Sequence, residues 1–317
     1  MRSPFADNIW PILKLSVFIF LSAFFSSCCR QGDRAGIDGL RDCLDSLATS
    51  SNGVVGVAVI TPDGDTLTVN NDVRFPLMSV FKLHEAIAVA HETDRINHSF
   101  DSLLTISHPE LSSDTWSPML KDYPEGDFEI SVGDLVKYML LVSDNNASNV
   151  LFERIVSVGL TDSLIRALDM PHSFELRFTE HEMQADHTKS YQNWSSPLAC
   201  AALVRAVMND SLVSSVKQDS IRSWLGQCTS ANGRMAAAVA KIPDARLYHR
   251  TGSGYVNERG EIIAVNDVGV ISLPDGRLIT IAILIKDYAG DQEDADAEIA
   301  AITSAIADYF IATDRQT

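Results

Sequence analysis

The 317-residue sequence has little cysteine, little basic charge and, after its first thirty residues, no long apolar run. Five scattered cysteines exclude a disulfide scaffold and a cysteine-rich zinc module. Lysine and arginine number 25 against 42 aspartate and glutamate residues, so the net charge is −17. Because such a surface repels phosphate backbones, we expect no nucleic-acid partner. Apolar residues still make up 46% of the chain, which excludes global disorder and permits a sizeable core.

The one apolar run, from Leu15 to Phe25, follows Arg2 and Lys14. It is too short to cross a bilayer as a helix, but it fits the hydrophobic core of a signal peptide. We therefore predict that residues 1–28 are a signal peptide and that the protein is exported to the periplasm. Small residues before Cys28 also resemble a bacterial lipobox. A lipid anchor on Cys28 is therefore an alternative to an ordinary signal peptide cleaved near Ser27.

After Cys28 and Cys29, the sequence contains three cysteines, Cys43, Cys200 and Cys228. Three cysteines permit at most one intramolecular bridge, and their spacing does not indicate which. Buried free thiols are the simpler interpretation.

In the rest of the chain, the spacing of apolar residues changes twice, from a pattern typical of strands to one typical of helices and back again. Two strands at 54–60 and 66–69 follow a helix at 37–49, and three strands at 246–251, 262–273 and 277–286 precede a helix at 291–312. Between them, helices are predicted at 79–94, 131–142, 144–156, 161–168, 196–208 and 214–226. Alternating βαβ units are absent, which disfavours a parallel Rossmann sheet.

The predicted fold class is therefore α/β of the α+β-like kind. It has an antiparallel five-stranded sheet flanked by terminal helices, with an inserted all-helical domain. Residues 29–72 and 240–317 would form one discontinuous α/β domain, and residues 73–239 would form the helical domain. The active site is expected at their junction.

A candidate nucleophile opens the first strongly apolar helix. Ser79 falls in its first turn, and Lys82 follows three residues later, so the two side chains can meet. A serine hydroxyl needs a nearby base, and a lysine held in an apolar helix loses its proton more easily than in water. Ser-x-x-Lys alone is a weak signal, because an N-cap serine and a surface lysine often share this spacing.

Two further motifs follow in order along the chain. Ser143-Asp144-Asn145 lies between two predicted helices, and Arg250-Thr251-Gly252-Ser253 ends a predicted strand. With Ser79 and Lys82, this set resembles the class A serine β-lactamases from about residue 37 to the C-terminus. Trp116-Ser117-Pro118 and the extra residues before Ser143 resemble the subgroup that contains cephalosporinases and extended-spectrum enzymes.

The resemblance implies a loop glutamate that holds the water for deacylation. Glu180 matches it, with Gln184 four residues on, and Glu182 is the competing assignment. The sequence departs from the common family pattern here, because Phe178 and Asn193 stand where many members pair Arg with Asp. The usual loop conformation therefore cannot be assumed.

The resemblance also implies a role for each motif residue. Ser79 is the nucleophile, Lys82 and Glu180 are its bases, and Ser143 relays a proton to the leaving nitrogen. Asn145 holds the substrate's side-chain amide. The remaining substrate-binding residues are expected to be Arg250, Thr251, Ser253 and Trp116, with Arg250 replacing the usual lysine in binding the carboxylate.

The function that follows is β-lactam hydrolysis through a serine acyl-enzyme, in a monomer without a cofactor or metal. No histidine or acidic spacing in the sequence is diagnostic of a metal site. Two alternatives use the same nucleophile: a D-alanyl-D-alanine peptidase or transpeptidase, and a non-hydrolysing β-lactam sensor. The compact size and Glu180 favour the hydrolase.

Overall fold

The computed structural model describes residues 36–314. Its centre is a five-stranded antiparallel sheet in the order β2-β1-β10-β9-β8. These strands are β1 (Val54–Ile60), β2 (Thr66–Val69), β8 (Arg246–Ser253), β9 (Ile262–Ser272) and β10 (Leu278–Tyr288). The central sheet predicted from the sequence is confirmed. Strands β9 and β10 are almost wholly buried, because both faces of the sheet are covered.

Helices α1 (Ile37–Ser50) and α11 (Gln292–Asp314) cover one face of this sheet. Leu40, Leu44 and Leu47 recur at helical spacing, so they share one buried stripe on α1. They pack with Ile299 and Ile302 of α11 in one apolar core.

The opposite face meets the inserted region, whose helices surround a second apolar core. Serine or aspartate N-caps start four of these helices, at Ser131, Asp144, Ser157 and Ser196. The helices are α2 (Lys82–Arg95), α3 (Met119–Asp122), α4 (Val132–Leu141), α5 (Asn145–Arg154), α6 (Val158–Arg166), α7 (Glu180–Ala185), α8 (Pro197–Asn209) and α9 (Ser215–Leu225). Helix α10 (Met235–Val239) instead packs into the first core, beside the terminal helices.

The expectation that residues 73–239 are all helical is wrong. They also contain β3 (Phe75–Pro76), β4 (Leu103–Ile106), β5 (Phe128–Ser131), β6 (Phe174–Glu175) and β7 (Trp194–Ser195). Strands β4 and β5 pair with each other, and β3, β7 and β6 form a three-stranded sheet. Strands of two to four residues are too short to establish an alternating pattern in the sequence.

Close packing joins α8 and β3 to the central sheet. A Cβ atom on Gly56 of β1 would lie 2.4 Å from the ring of Phe75 and 2.7 Å from Pro197. Only glycine therefore allows β3 and α8 to approach the strand this closely.

The cysteines differ from the simplest expectation. Cys200 and Cys228 are free thiols, with Cys200 buried and Cys228 partly exposed. Cys43 is disulfide-bonded, so the free-thiol interpretation is wrong at that position.

The segment predicted as a signal peptide, including Cys28, lies outside the described residues. Within residues 36–314, no helix combines the length and the apolarity needed to span a bilayer. The same residues contain no grouping of three His, Cys, Asp or Glu side chains suited to a metal ion.

Candidate active site

Ser79 lies in a 3₁₀ turn, Met78–Phe81, immediately before α2. The turn is entered through a left-handed residue, Met78 with φ 44°. Asn266 holds the preceding backbone, because its Nδ2 donates to the carbonyls of Pro76 and Leu77 at 2.7 and 3.1 Å. A Cβ atom on Gly252 would lie 2.5 Å from the Leu77 carbonyl oxygen. Glycine at this point lets β8 lie directly against the turn that carries Ser79.

Lys82 is fully buried beneath Ser79. Its Nζ lies 3.3 Å from Ser79 Oγ, 3.0 Å from the Ser143 carbonyl and 2.5 Å from Asn145 Oδ1. Burial is the largest influence on the ammonium group and, together with the Arg250 charge, lowers the pKa of Lys82 against the opposing charge of Glu180. A neutral amine is therefore more accessible at Lys82 than at a solvated lysine.

Glu180, the first residue of α7, reaches the same point. Its Oε1 accepts a hydrogen bond from Ser79 Oγ at 3.1 Å and lies 3.0 Å from Lys82 Nζ. Glu182 turns away and forms a capping box with Thr179, accepting from the Thr179 N–H at 2.9 Å. Of the two glutamates considered from the sequence, only Glu180 is placed beside the candidate nucleophile.

The loop that presents Glu180 is closed without an Arg–Asp ion pair. The buried amide of Asn193 accepts from the N–H groups of Arg177 and Phe178 at 2.8 and 3.0 Å, and it donates to the Phe178 carbonyl at 2.7 Å. Strands β6 and β7 pair at the base of the loop, where its two ends meet. A neutral amide bound to the backbone thus holds the two ends of the loop together.

Ser143 and Asn145 approach from the helical side. Ser143 has φ 62°, and the buried carboxylate of Asp144 fixes the turn by accepting from Ala147 N and Met119 N at 2.9 and 2.7 Å. Asn145 Nδ2 donates to Thr115 Oγ1 at 2.9 Å. Trp116, which is 62% exposed, lies at the rim of the pocket.

Arg250 does not line the pocket, although the sequence predicted that it binds the substrate carboxylate. Its side chain is fully buried, donating to the Ser79 carbonyl at 2.9 Å, the Leu140 carbonyl at 3.3 Å and Ser143 Oγ at 2.7 Å. The guanidinium group therefore lies behind the wall of the pocket and contacts Ser143 directly. Thr251 and Ser253, on the same strand, do line the pocket.

Sequence reasoning missed a second buried arginine, Arg234. Its Nη2 donates to Ser253 Oγ at 2.6 Å, and its Nη1 donates to the Gly252 and Asn266 carbonyls at 2.9 and 2.8 Å. Asp296 of α11 pairs with its Nε at 2.7 Å. Arg234 precedes a run of alanines in no recognisable motif, so the sequence carried no signal for this contact.

These groups surround a pocket of about 760 Å³. Its wall includes seven of the nine predicted site residues, while Lys82 and Arg250 lie beneath it. The seven are Ser79, Trp116, Ser143, Asn145, Glu180, Thr251 and Ser253. Residues not predicted also line it, among them Lys121, His187, Ser230 and Tyr255. A hydroxyl that contacts both a carboxylate and a buried amine, in a pocket with cations behind its wall, is suited to nucleophilic attack on an anionic acyl substrate.

Comparison with known proteins agrees with this chemistry. Residues 39–310 match the model of the Beta-lactamase enzyme family. A β-lactamase of Phocaeicola vulgatus is 40% identical over 304 residues, covering 95% of both chains. β-Lactamase VEB-1 of Pseudomonas aeruginosa is 30% identical over 305 residues, covering 95% of this chain and 99% of that relative. The crystal structure of a class A β-lactamase from Bacteroides cellulosilyticus DSM 14838 superposes with a TM-score of 0.82 at 28% identity, covering 88% of this chain and 99% of that one. The chain therefore belongs to the β-lactamase enzyme family and is a serine hydrolase of class A.

Proposed function

We propose that this protein hydrolyses the amide bond of β-lactams through an acyl-enzyme on Ser79, with Glu180 as the base for deacylation. The observation that carries the proposal is the position of Glu180 Oε1, 3.1 Å from Ser79 Oγ and 3.0 Å from Lys82 Nζ. Hydrolysis of the lactam ring destroys the antibiotic and so confers resistance.

In acylation, Ser79 Oγ attacks the lactam carbonyl and gives up its proton. Both Lys82 and Glu180 lie within hydrogen-bond distance of that oxygen, so either can take the proton. The developing oxyanion is assigned to the backbone N–H groups of Ser79 and Ser253, whose residues line the pocket.

Cleavage of the ring requires a proton on the lactam nitrogen, which we assign to Ser143. Its Oγ lies 2.7 Å from Arg250 Nη2 and 3.5 Å from Lys82 Nζ. Two neighbouring cationic side chains stabilise the oxygen as it gives up its proton, and Lys82 can return a proton to it.

The substrate carboxylate is assigned to Thr251 and Ser253. Arg234 donates to Ser253 Oγ, and Arg250 lies behind Ser143. Both guanidinium groups are buried, so their charges act on the carboxylate through a poorly screened environment. Asn145 and Trp116 are the proposed contacts for the substrate's side-chain amide and the outer edge of the substrate.

The deciding experiment substitutes Glu180→Gln, which keeps the size of the side chain and removes its basicity. General-base catalysis contributes about 10²–10⁴-fold, so steady-state turnover of a chromogenic cephalosporin should fall by that order. Acylation should continue with Lys82 as base. A burst of one equivalent and an accumulated acyl-enzyme, measured by mass spectrometry, are expected.

Glu182→Gln is the matched control, since Glu182 lies in the same loop but contacts Thr179. It should turn over substrate at nearly the parental rate. If Glu182→Gln traps the intermediate and Glu180→Gln does not, the assignment within the loop is wrong. If neither variant traps it, deacylation uses another base. Ser79→Ala should abolish covalent labelling by penicillins, and a penicilloyl adduct on this variant would show that Ser79 is not the nucleophile.

We also propose that the mature protein is a periplasmic monomer, exported by residues 1–28. A lipid anchor on Cys28 would hold it at the membrane, and ordinary cleavage near Ser27 would release it. Cell fractionation of the parent and of Cys28→Ala distinguishes the two. A lipoprotein moves from the membrane fraction to the soluble fraction on this substitution, whereas an enzyme found only in the cytoplasm would contradict export.

A further inference from the structure

A buried glutamate on α2, Glu85, has no role in the chemistry assigned above. It is the third residue after Lys82, so it lies one turn further along the same helix. Glu85 and Ser148 of α5 are both 0% exposed, and Ser148 Oγ donates to Glu85 Oε2 at 2.6 Å. A buried side-chain hydrogen bond therefore joins the helix of the catalytic lysine to the helix that begins at Asn145.

The contact between Glu85 and Ser148 repeats a contact of the active site. Lys82 Nζ donates to Asn145 Oδ1 at 2.5 Å, and the second pair comes three positions later on each of the same two helices. Residues three apart lie on the same face of a helix. The two contacts are therefore successive cross-links between α2 and α5, and the loss of one changes the separation of the helices at the other.

Glu85 fits this place as a neutral acid. Its Oε1 is buried and, among the described residues, has no hydrogen-bond partner. An ionised carboxylate with an unpaired oxygen would carry a large desolvation cost there. Burial raises the pKa of Glu85 well above its usual value, against the hydrogen bond from Ser148 and the charge of Lys82. Of the charged groups on other elements, Glu180 of α7 also raises this pKa and Arg250 of β8 lowers it. Glu85 can therefore bind Ser148 without adding a negative charge that would keep Lys82 protonated.

We propose that Glu85 is a positioning residue for the acylation of Ser79. Its hydrogen bond with Ser148 fixes the distance between α2 and α5, and so holds Lys82 against Asn145. The amine of Lys82 lies 3.3 Å from Ser79 Oγ and must stay within hydrogen-bond distance to take its proton. Small displacements of a catalytic group reduce the reaction rate steeply. Loss of the contact should therefore slow acylation without removing any group that touches the substrate.

The test compares Glu85→Leu, Ser148→Ala and Glu85→Gln with the parent. The measured quantity is kcat/KM for a chromogenic cephalosporin, which reports the steps up to acylation and does not depend on deacylation. Glu85→Leu and Ser148→Ala each lose the hydrogen bond, so kcat/KM should fall at least about fivefold. The double variant should fall no further than the less active single variant, because both substitutions remove the same contact. Glu85→Gln can still accept from Ser148 and should keep nearly the parental value.

Glu92→Leu is the matched control, because Glu92 is also buried on α2 but pairs with Arg95, about two turns further along. It should lower the stability measured by urea unfolding and leave kcat/KM unchanged. The dependence of kcat/KM on pH gives a second readout. The profile of Glu85→Gln should superimpose on that of the parent, because a neutral Glu85 contributes no charge. A displaced profile would show that Glu85 acts on Lys82 through its charge and would overturn the positioning role.

This inference rests on the proposed function, but the two fail in different ways. Parental kcat/KM in a folded Glu85→Leu, or an equal loss in Glu92→Leu, would overturn the role of Glu85 and leave β-lactam hydrolysis intact. Ser148→Ala decides the matter if Glu85→Leu does not fold. If the parent hydrolyses no β-lactam, the proposed function fails instead. The rate of penicilloyl labelling of Ser79, measured by mass spectrometry, then replaces kcat/KM, and the same order of variants is expected.

Discussion

At the scale of single residues, the guanidinium group of Arg250 connects three separate parts of the chain. It donates to the carbonyls of Ser79 and Leu140 and to the hydroxyl of Ser143. A lysine at this position could keep the charge but would present it from one nitrogen, whereas the guanidinium reaches its three acceptors from three separate nitrogens. The arginine therefore both holds the nucleophile turn and places a positive charge beside the proposed proton relay.

We expect Arg250→Lys to keep substantial activity and Arg250→Ala to lose much more. Loss of a charge-assisted hydrogen bond costs about 1.5–3 kcal/mol, or about 10- to 150-fold in kcat/KM for carboxylate-bearing β-lactams. Steady-state kinetics of both variants, with denaturant unfolding to correct for stability, provide the measurement. Parental kinetics for a folded Arg250→Ala would contradict a role in substrate binding or proton transfer.

How far the site could be predicted differs from residue to residue. Ser79 and Lys82 are one helical turn apart, so their spacing in the sequence was enough to predict that their side chains lie close together. The choice between Glu180 and Glu182 had a further signal, because Thr179 and Glu182 match the capping-box pattern that removes Glu182 from the site. Arg234 could not be found, since its partners Ser253 and Asp296 are joined to it only by the fold.

At the scale of elements, α2 carries a buried histidine one turn from the catalytic end. His84 is 1% exposed, its Nδ1 has no hydrogen-bond partner, and its ring lies 5.5 Å from that of Phe174. Burial lowers the pKa of His84 from 6.5 to about 4, against a smaller opposing effect of Asp162. The folded state therefore favours the neutral imidazole.

The lowered pKa of His84 predicts that burial of this residue on α2 makes the folded protein less stable in acid. Between pH 6.5 and 4 the unfolded chain binds a proton at His84 that the folded chain does not, so stability falls as the pH decreases through that range. From pH 7 to pH 5, this one group should cost about 2 kcal/mol of unfolding free energy. Urea unfolding of the parent and of His84→Phe at both pH values measures the difference.

The control for that experiment is His91→Gln, on the exposed side of the same helix. It should keep the parental loss of stability between pH 7 and pH 5, whereas His84→Phe should lose about 2 kcal/mol less. Equal losses in the parent and in His84→Phe would show that His84 is already protonated in the fold or is not buried.

The elements themselves were predictable in proportion to their length. Strands β9 and β10 and the long helices carry enough periodic residues to be located within a few positions. The strands from β3 to β7 have at most four residues each. Strands β3, β6 and β7 form because the chain returns to the base of the Glu180 loop, where the two ends of the loop meet. Such pairings depend on tertiary contacts that local sequence patterns do not encode.

At the scale of the whole molecule, the central sheet separates two apolar cores, and the active site lies where the helical region meets β8 and β9. Apolar packing alone cannot fix the distance between two such bodies to the accuracy that catalysis requires. Directed polar contacts cross the junction instead. Arg250 reaches the Ser79 carbonyl from β8, and Asn266 reaches the Pro76 and Leu77 carbonyls from β9.

Asn266→Ala tests whether this junction couples stability to catalysis. The substitution removes a side-chain donor from two buried carbonyls, although Leu77 still accepts from the Val80 N–H, and it should cost about 1–3 kcal/mol in unfolding free energy. Because the same carbonyls lead directly into the turn of Ser79, kcat/KM should fall even under conditions where the variant is fully folded. Asn209→Ala, at the exposed end of α8, is the matched control and should change stability by no more than about 0.5 kcal/mol. Denaturant unfolding and cephalosporin kinetics on the three proteins give both quantities. A variant that is destabilised but kinetically parental would show that Asn266 supports the fold alone, and the contacts across the junction would then not position the nucleophile.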